Sequence, residues 1–157
     1  MKTVFVFEQV AVVVMPWWEP MDPPERGTRV EVRLVDHEPR RGSRFAAQRI
    51  AVDKPVWRAD LFDQVTSPPG NLLSAHFHPG FNGNEPCPRV WDPDIRSDPL
   101  AWLGRELSDL DGLLSRSGAE LSADQRAELV GDAAALRDTV GAIVSAVEST
   151  WELARSR

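Results

Sequence analysis

Two histidines stand two residues apart, at His76 and His78, in the string LLSAHFHPGF. Neutral imidazole serves both as a general base near neutral pH and as a ligand for zinc, iron, copper or nickel. Upstream, the string VWRADLFD sets Arg58 and Asp60 at the same spacing of two. A carboxylate beside an imidazole fixes its tautomer, and a guanidinium grips a phosphate or carboxylate with two parallel hydrogen bonds. These four side chains make a site only if they share one surface, so the elements that carry them decide the matter.

Both strings alternate. In 56–63, Trp57, Ala59 and Leu61 share one face, and Arg58, Asp60 and Phe62 the other. In 73–78, Leu73, Ala75 and Phe77 oppose Ser74, His76 and His78. The SPPG between them reverses the chain, which predicts an antiparallel hairpin. A symmetric register sets Asp60 opposite His76 and Arg58 opposite His78, with the apolar residues turned to a core.

Three uses of such a cluster differ in chemistry. His76, His78, Asp60 and Arg58 as catalytic residues suit metal-independent cleavage of a phosphodiester, because two imidazoles and a guanidinium stand there without an obvious nucleophile. His76 and His78 as ligands imply a divalent metal as cofactor. The third ligand is then open among Cys87, Glu85, Asp60 and His37, none at a spacing that selects it. The third use is structural, a hydrogen-bonded polar patch on a sheet. Cys87 sits between Pro86 and Pro88 with no base nearby in sequence, so nothing marks it as a nucleophile.

The rest of the chain supplies the frame. Residues 3–15 are rich in β-branched side chains and predict one long or two short buried strands, stopped by Pro16. The proline-rich WWEPMDPPERG predicts a loop whose Trp17 and Trp18 cap the core, the favoured reading, or else form an exposed contact patch. Residues 28–35 alternate, with Val30, Val32 and Leu34 inward and Arg29, Glu31 and Arg33 outward. A further strand is expected over 44–52, a turn at Asp53-Lys54-Pro55, and a short closing strand at Val90 and Trp91. Trp91 and Trp102 are both expected in the core.

After residue 91 the pattern becomes helical. Asp98 reads as an N-cap with Pro99 at the first helical position. Leu100, Leu103, Leu107, Leu110 and Leu114 line one face of a single helix over 99–115, and Gly118 ends the pattern. Ser122 and Gln125 stand at capping-box spacing for a second helix. Its stripe runs from Leu129 through Ala133, Leu136, Val140, Ile143 and Val147 to Trp151. The fold class expected is α+β in a single domain over 1–157, with an N-terminal antiparallel β-sheet in 1–91 followed by a C-terminal two-helix hairpin in 98–155.

Net charge is −6, which disfavours a dedicated nucleic-acid binder, although residues 25–58 hold nine basic and five acidic residues. Residues 98–157 hold six basic and eleven acidic ones. The lone cysteine excludes an internal disulfide framework, and no apolar run spans a bilayer, so a cytoplasmic protein is expected.

Two resemblances attach to these strings. Gly70-x5-His76-x-His78 followed by Glu85 resembles the first metal motif of cupins; no second motif follows, because the chain turns helical, and only the ligand pair carries over. The order VEVRLVDHEPRRGSRF, WRADLFD, HFHPGFNGNEPCPRVW and then a leucine-striped helix resembles the TumE-type toxins of bacterial toxin–antitoxin pairs. By that resemblance Asp60 matches their strand aspartate, and His76 and His78 their histidine element. The tyrosine expected beside the aspartate is absent, as the chain has none. The resemblance implies a cognate protein partner and action on RNA or another phosphate-bearing substrate.

The alternative is a non-catalytic, dimeric protein-interaction module. At 1.5 Å per residue the second helix spans about 45 Å and the first about 25 Å. In a hairpin of the two, Ile143, Val147 and Trp151 would lie uncovered, and a homodimer through the C-terminal helix would bury them.

Overall fold

The computed structural model describes residues 1–155. Five strands form an antiparallel meander in sequence order: β1 (Thr3–Val6), β2 (Val10–Glu19), β3 (Glu25–His37), β4 (Ile50–Gln64) and β5 (His76–His78). Two two-residue strands, β6 (Phe81–Asn82) and β7 (Glu85–Pro86), make a small ribbon beyond β5. Helices α1 (Pro93–Ser97), α2 (Pro99–Ser108), α3 (Leu110–Ser117) and α4 (Ala123–Arg155) follow. The α+β class, sheet first and helices after, is as the sequence predicts. No described helix is long and apolar enough to cross a membrane.

The strands outrun their predicted limits. β2 continues through Pro16 to Glu19 and pairs there with β3, so Pro16 does not stop it. β4 starts at Ile50 and absorbs Asp53-Lys54-Pro55, because irregularities between Val32 and Val35 let β3 and β4 keep pairing past Pro55. Residues 44–49 belong to the hairpin tip and not to a strand. β5 shrinks to three residues; Asp63 instead ties down the loop before it, accepting the backbone N–H of Gly70 and of Leu72.

The helical half differs more. A single helix over 99–115 becomes α2 and α3, because the Asp109 carboxylate accepts the backbone N–H of Gly112 and starts a new helix. The additional α1 is capped by Asp92, with Pro93 at its first position. Among the described residues four helices therefore replace the expected hairpin of two. The Ser122–Gln125 capping box forms in both directions, and Gly118 ends α3 with a φ of 67°.

The core lies between one face of the sheet and the helices. Val10, Val12, Val14, Val30, Val32, Trp57 and Leu61 meet Leu103, Leu107, Leu136 and Ile143 there. α4 packs across β2 and β3 as well as against α2. Ile143 and Val147 are fully buried within the chain and Trp151 nearly so. That corrects the expectation of an uncovered stripe, which holds only for a bare helix hairpin. With the sheet as cover, the stripe no longer calls for a second copy through the C-terminal helix.

α4 is pinned by a buried carboxylate. Asp132 accepts the backbone N–H groups of Glu8, Gln9 and Val10 at the β1–β2 turn. Gln9 also donates to Glu128.

Candidate metal centre

The sheet face away from the helices carries the site. Antiparallel register sets Asp60 opposite His76 and Arg58 opposite His78, as the alternation predicts. β3 adds a column that the alternation alone turns to solvent, with Arg29 opposite Asp60 and Glu31 opposite Arg58. Two rows result. One runs Arg29–Asp60–His76 and the other Glu31–Arg58–His78, so charges alternate along and across the strands.

These groups are buried. Asp60, His76 and Glu31 are each at most 2% exposed. The Arg29 guanidinium grips Asp60 at both oxygens, with Nε 2.6 Å from Oδ1 and Nη2 3.1 Å from Oδ2. Arg29 in turn lies 3.7 Å from the centroid of the Trp17 ring. Glu31 accepts from Arg58 Nε at 2.9 Å and from Arg33 Nε at 2.8 Å. Burial pushes the Glu31 carboxyl up, but Arg33 and Arg58 outweigh it and the net displacement is downward.

Arg58 reaches the site already engaged: its Nε and Nη2 meet Glu31 Oε1, and the Phe81 ring lies 5.0 Å from its guanidinium, which leaves Nη1 for any further partner.

The imidazoles are oriented from behind. His76 Nδ1 lies 2.7 Å from the Ser74 carbonyl, and His78 Nδ1 faces the Cys87 carbonyl. A carbonyl only accepts, so each Nδ1 carries the hydrogen and each Nε2 presents its lone pair. Both Nε2 atoms point at Asp60 Oδ2, from 3.5 Å for His76 and 3.7 Å for His78. Those separations exceed a hydrogen bond, and His76 Nε2 is buried with no hydrogen-bond partner. Burial pushes both imidazoles below their ordinary pKa, against the smaller opposing pulls of the backbone carbonyls and Asp60. The neutral ring, the form that binds metals, is favoured.

Asp60, His76 and His78 thus offer three ligand atoms all within 4.8 Å of one another. Two ligands about 2.1 Å from a zinc-class ion at the tetrahedral angle stand about 3.4 Å apart, close to both observed separations. Each carboxylate oxygen has two lone pairs, so the bond from Arg29 leaves Oδ2 able to ligate. Of the four candidate third ligands, Asp60 is the one brought to the histidines. His37 lies at the far end of β3, bonded to the Glu8 carbonyl. Glu85 is exposed in β7, and Cys87 contributes its carbonyl to His78.

The edge beyond β5 completes both rows. Phe77 and Val90 exchange two backbone hydrogen bonds of 3.0 and 2.8 Å. That bridge sets Trp91 opposite His76 and Arg89 opposite His78 on the site's face. The Trp91 ring lies 5.2 Å from the His76 ring, and at 55% exposure it is not the core residue expected. Trp102 is in the core. Trp17 covers Arg29, while Trp18 is about half exposed and faces Ala154 across a shallow cavity.

No family model matches the chain, no curated protein matches it in sequence, and no solved structure matches its fold.

Proposed function

We propose that this protein binds a divalent transition-metal ion through His76 Nε2, His78 Nε2 and Asp60 Oδ2, and uses it as a Lewis acid on a phosphate-bearing substrate. One observation carries the reading: three Lewis bases converge in a buried place with lone pairs inward and no hydrogen between them. Left so, His76 Nε2 suffers the cost of a desolvated acceptor without a donor. A cation removes that cost at once. The carbonyls behind both rings are the outer partners that metal-binding histidines use to fix tautomer and orientation. Arg29 holds Asp60 in place, but its charge repels a dication, so affinity falls below that of a zinc site built from thiolates.

Metal-free acid–base catalysis fits the same residues less well. Neither imidazole hydrogen-bonds to Asp60, so the carboxylate that would orient a general base does not engage either ring.

The direct test is metal uptake by the full chain, purified without a histidine tag and stripped with chelator. One equivalent of zinc or cobalt(II) is expected, and no uptake by the parent protein would remove the reading.

A toxin-like enzyme acting on RNA, neutralised by a cognate protein, has one observation of its own. The β3–β4 tip presents Arg40, Arg41, Arg44 and Arg49 around Phe45, which is 82% exposed with the Arg44 guanidinium 4.6 Å from its ring. Stacking rings and guanidinium groups are what single-stranded nucleic acid binds. Growth arrest on expression, relieved by His76→Ala, is the expected result. Normal growth with abundant folded protein would exclude this form of the reading.

A further inference from the structure

We infer that Arg89 and Trp91 form the recognition edge of the metal centre, Arg89 taking an oxyanion group of the substrate and Trp91 the flat organic body that carries it. The inference rests on the metal reading above and adds the chemical class of the ligand.

The guanidinium groups on this face divide into two kinds. Arg29, Arg33 and Arg58 are all held by Asp60 or Glu31. Arg89 is exposed, and among the described residues it makes neither a hydrogen bond nor an ion pair. Yet the Phe77–Val90 bridge fixes its backbone directly across from His78. A free guanidinium beside a metal centre is a ready second grip for phosphate or carboxylate.

Trp91 supplies the other half. It packs on the ring of His76 and leaves more than half of itself in solvent. On its side away from Arg89 it also lines a cleft of about 600 Å³, walled further by Leu73, Ala75 and Pro93, with Asn71, Asp92 and Arg96 among its polar groups. Trp91 alone joins that cleft to the metal centre, since neither Arg89 nor any of the three ligands lines it. Clefts of this size accept small organic molecules, and one exposed indole gives such a molecule a flat surface to stack on. The backbone around both residues is secured on two sides, by the bridge to Phe77 and by the Cys87 carbonyl bonded to His78. Arg89 and Trp91 are therefore already in position when a ligand arrives, which spares the entropy of ordering a loop.

Phosphate and carboxylate share the recognised chemistry, so probes must separate them. The experiment titrates the cobalt(II)-loaded full chain with phenyl phosphate, benzoate and inorganic phosphate, followed by calorimetry and by the cobalt visible spectrum. Cobalt affinity is measured first for the parent, Arg89→Gln and Trp91→Ala. It is expected not to weaken in Arg89→Gln, which loses only a positive charge, and the Trp91→Ala variant, which loses packing on His76, is compared at saturating cobalt. Phenyl phosphate or benzoate is expected to bind the parent and perturb the spectrum. Arg89→Gln should lower that affinity about tenfold, the worth of one charge-assisted hydrogen bond. Trp91→Ala should erase the preference for phenyl phosphate over inorganic phosphate. The tighter of phenyl phosphate and benzoate identifies the oxyanion. If cobalt binds but no probe does, or if Arg89→Gln binds the probes as the parent does, the inference is overturned while the metal reading stands. If the parent takes up no cobalt, both fall together.

Discussion

Asp132 and Asp60 are both buried carboxylates, and they are buried in opposite circumstances. Asp132 accepts three backbone N–H groups at the β1–β2 turn, so donors surround it. Asp60 has Arg29 on one side and two imidazole lone pairs on the other. The first arrangement is complete as it stands and fastens a helix to a sheet. The second has an excess of acceptors, which protein folding alone would avoid. A buried carboxylate is thus no sign of chemistry in itself; what distinguishes a site is whether its neighbours can all be satisfied without a further atom.

The largest expected effect tests the structural member of the pair. Asp132→Ala strands the N–H groups of Gln9 and Val10 in the core and that of Glu8 near it. Unfolding free energy should fall by about 4 kcal/mol, at about 1–3 kcal/mol for each buried donor left without a partner. Asp132→Asn retains one acceptor oxygen and should lose roughly half as much. Urea denaturation measures both, and metal stoichiometry should not change in the Asn variant. A loss below about 1 kcal/mol in Asp132→Ala would mean that water replaces the carboxylate and that the comparison fails.

The functional member gives the next effect. His76→Ala or Asp60→Asn removes one of three ligands and should weaken zinc or cobalt binding by at least about 100-fold, beyond the 10–100-fold typical of losing an outer partner. Competition with a chromogenic chelator reads this directly. Arg29→Gln should separate two roles. It removes a repulsive charge but also the clamp on Asp60, and tighter metal binding in that variant would show that the repulsion outweighs the clamp.

The sequence carried the site's parity because strand side chains alternate with period two and SPPG fixed a reversal between the strings. Arg29 and Glu31 were not legible. Alternating charges on a strand read as a solvent face, and only the β3–β4 register, set by residues about thirty apart, turns that face inward. The same register diverts Arg58 to Glu31. Arg89 and Trp91 depend on a single bridge between Phe77 and Val90, which no local pattern announces. In the helical half, the leucine stripe runs unbroken across Asp109, so periodicity does not reveal the cap that splits α2 from α3. The placement of α4 escapes a local reading for a related reason. An apolar sheet face over Val10, Val12, Val14, Val30 and Val32 needs a cover, and the long helix supplies it.

The smallest effect is a pH dependence of the metal-free protein. Burial holds His76 and His78 below their ordinary pKa of 6.5 in the folded chain. An unfolded chain restores the ordinary value. Between the folded and unfolded pKa the unfolded state therefore binds more protons, and stability rises with pH in that window. The contribution is fully present above about pH 6.5 and is lost as pH falls through the folded values. Glu31 behaves in the same sense, but its displacement is downward from 4.5, so its window lies lower and leaves the histidine window to be read separately. Urea midpoints of the stripped protein between about pH 7.5 and 5 should fall toward acid, and a His76→Gln, His78→Gln double variant should flatten that slope. Zinc should steepen it, because a proton and the metal compete for the same Nε2 lone pairs. A stripped protein whose midpoint is level over this range would mean that the imidazoles are not held neutral by burial, and a slope unaltered by zinc would mean that the ion does not reach them.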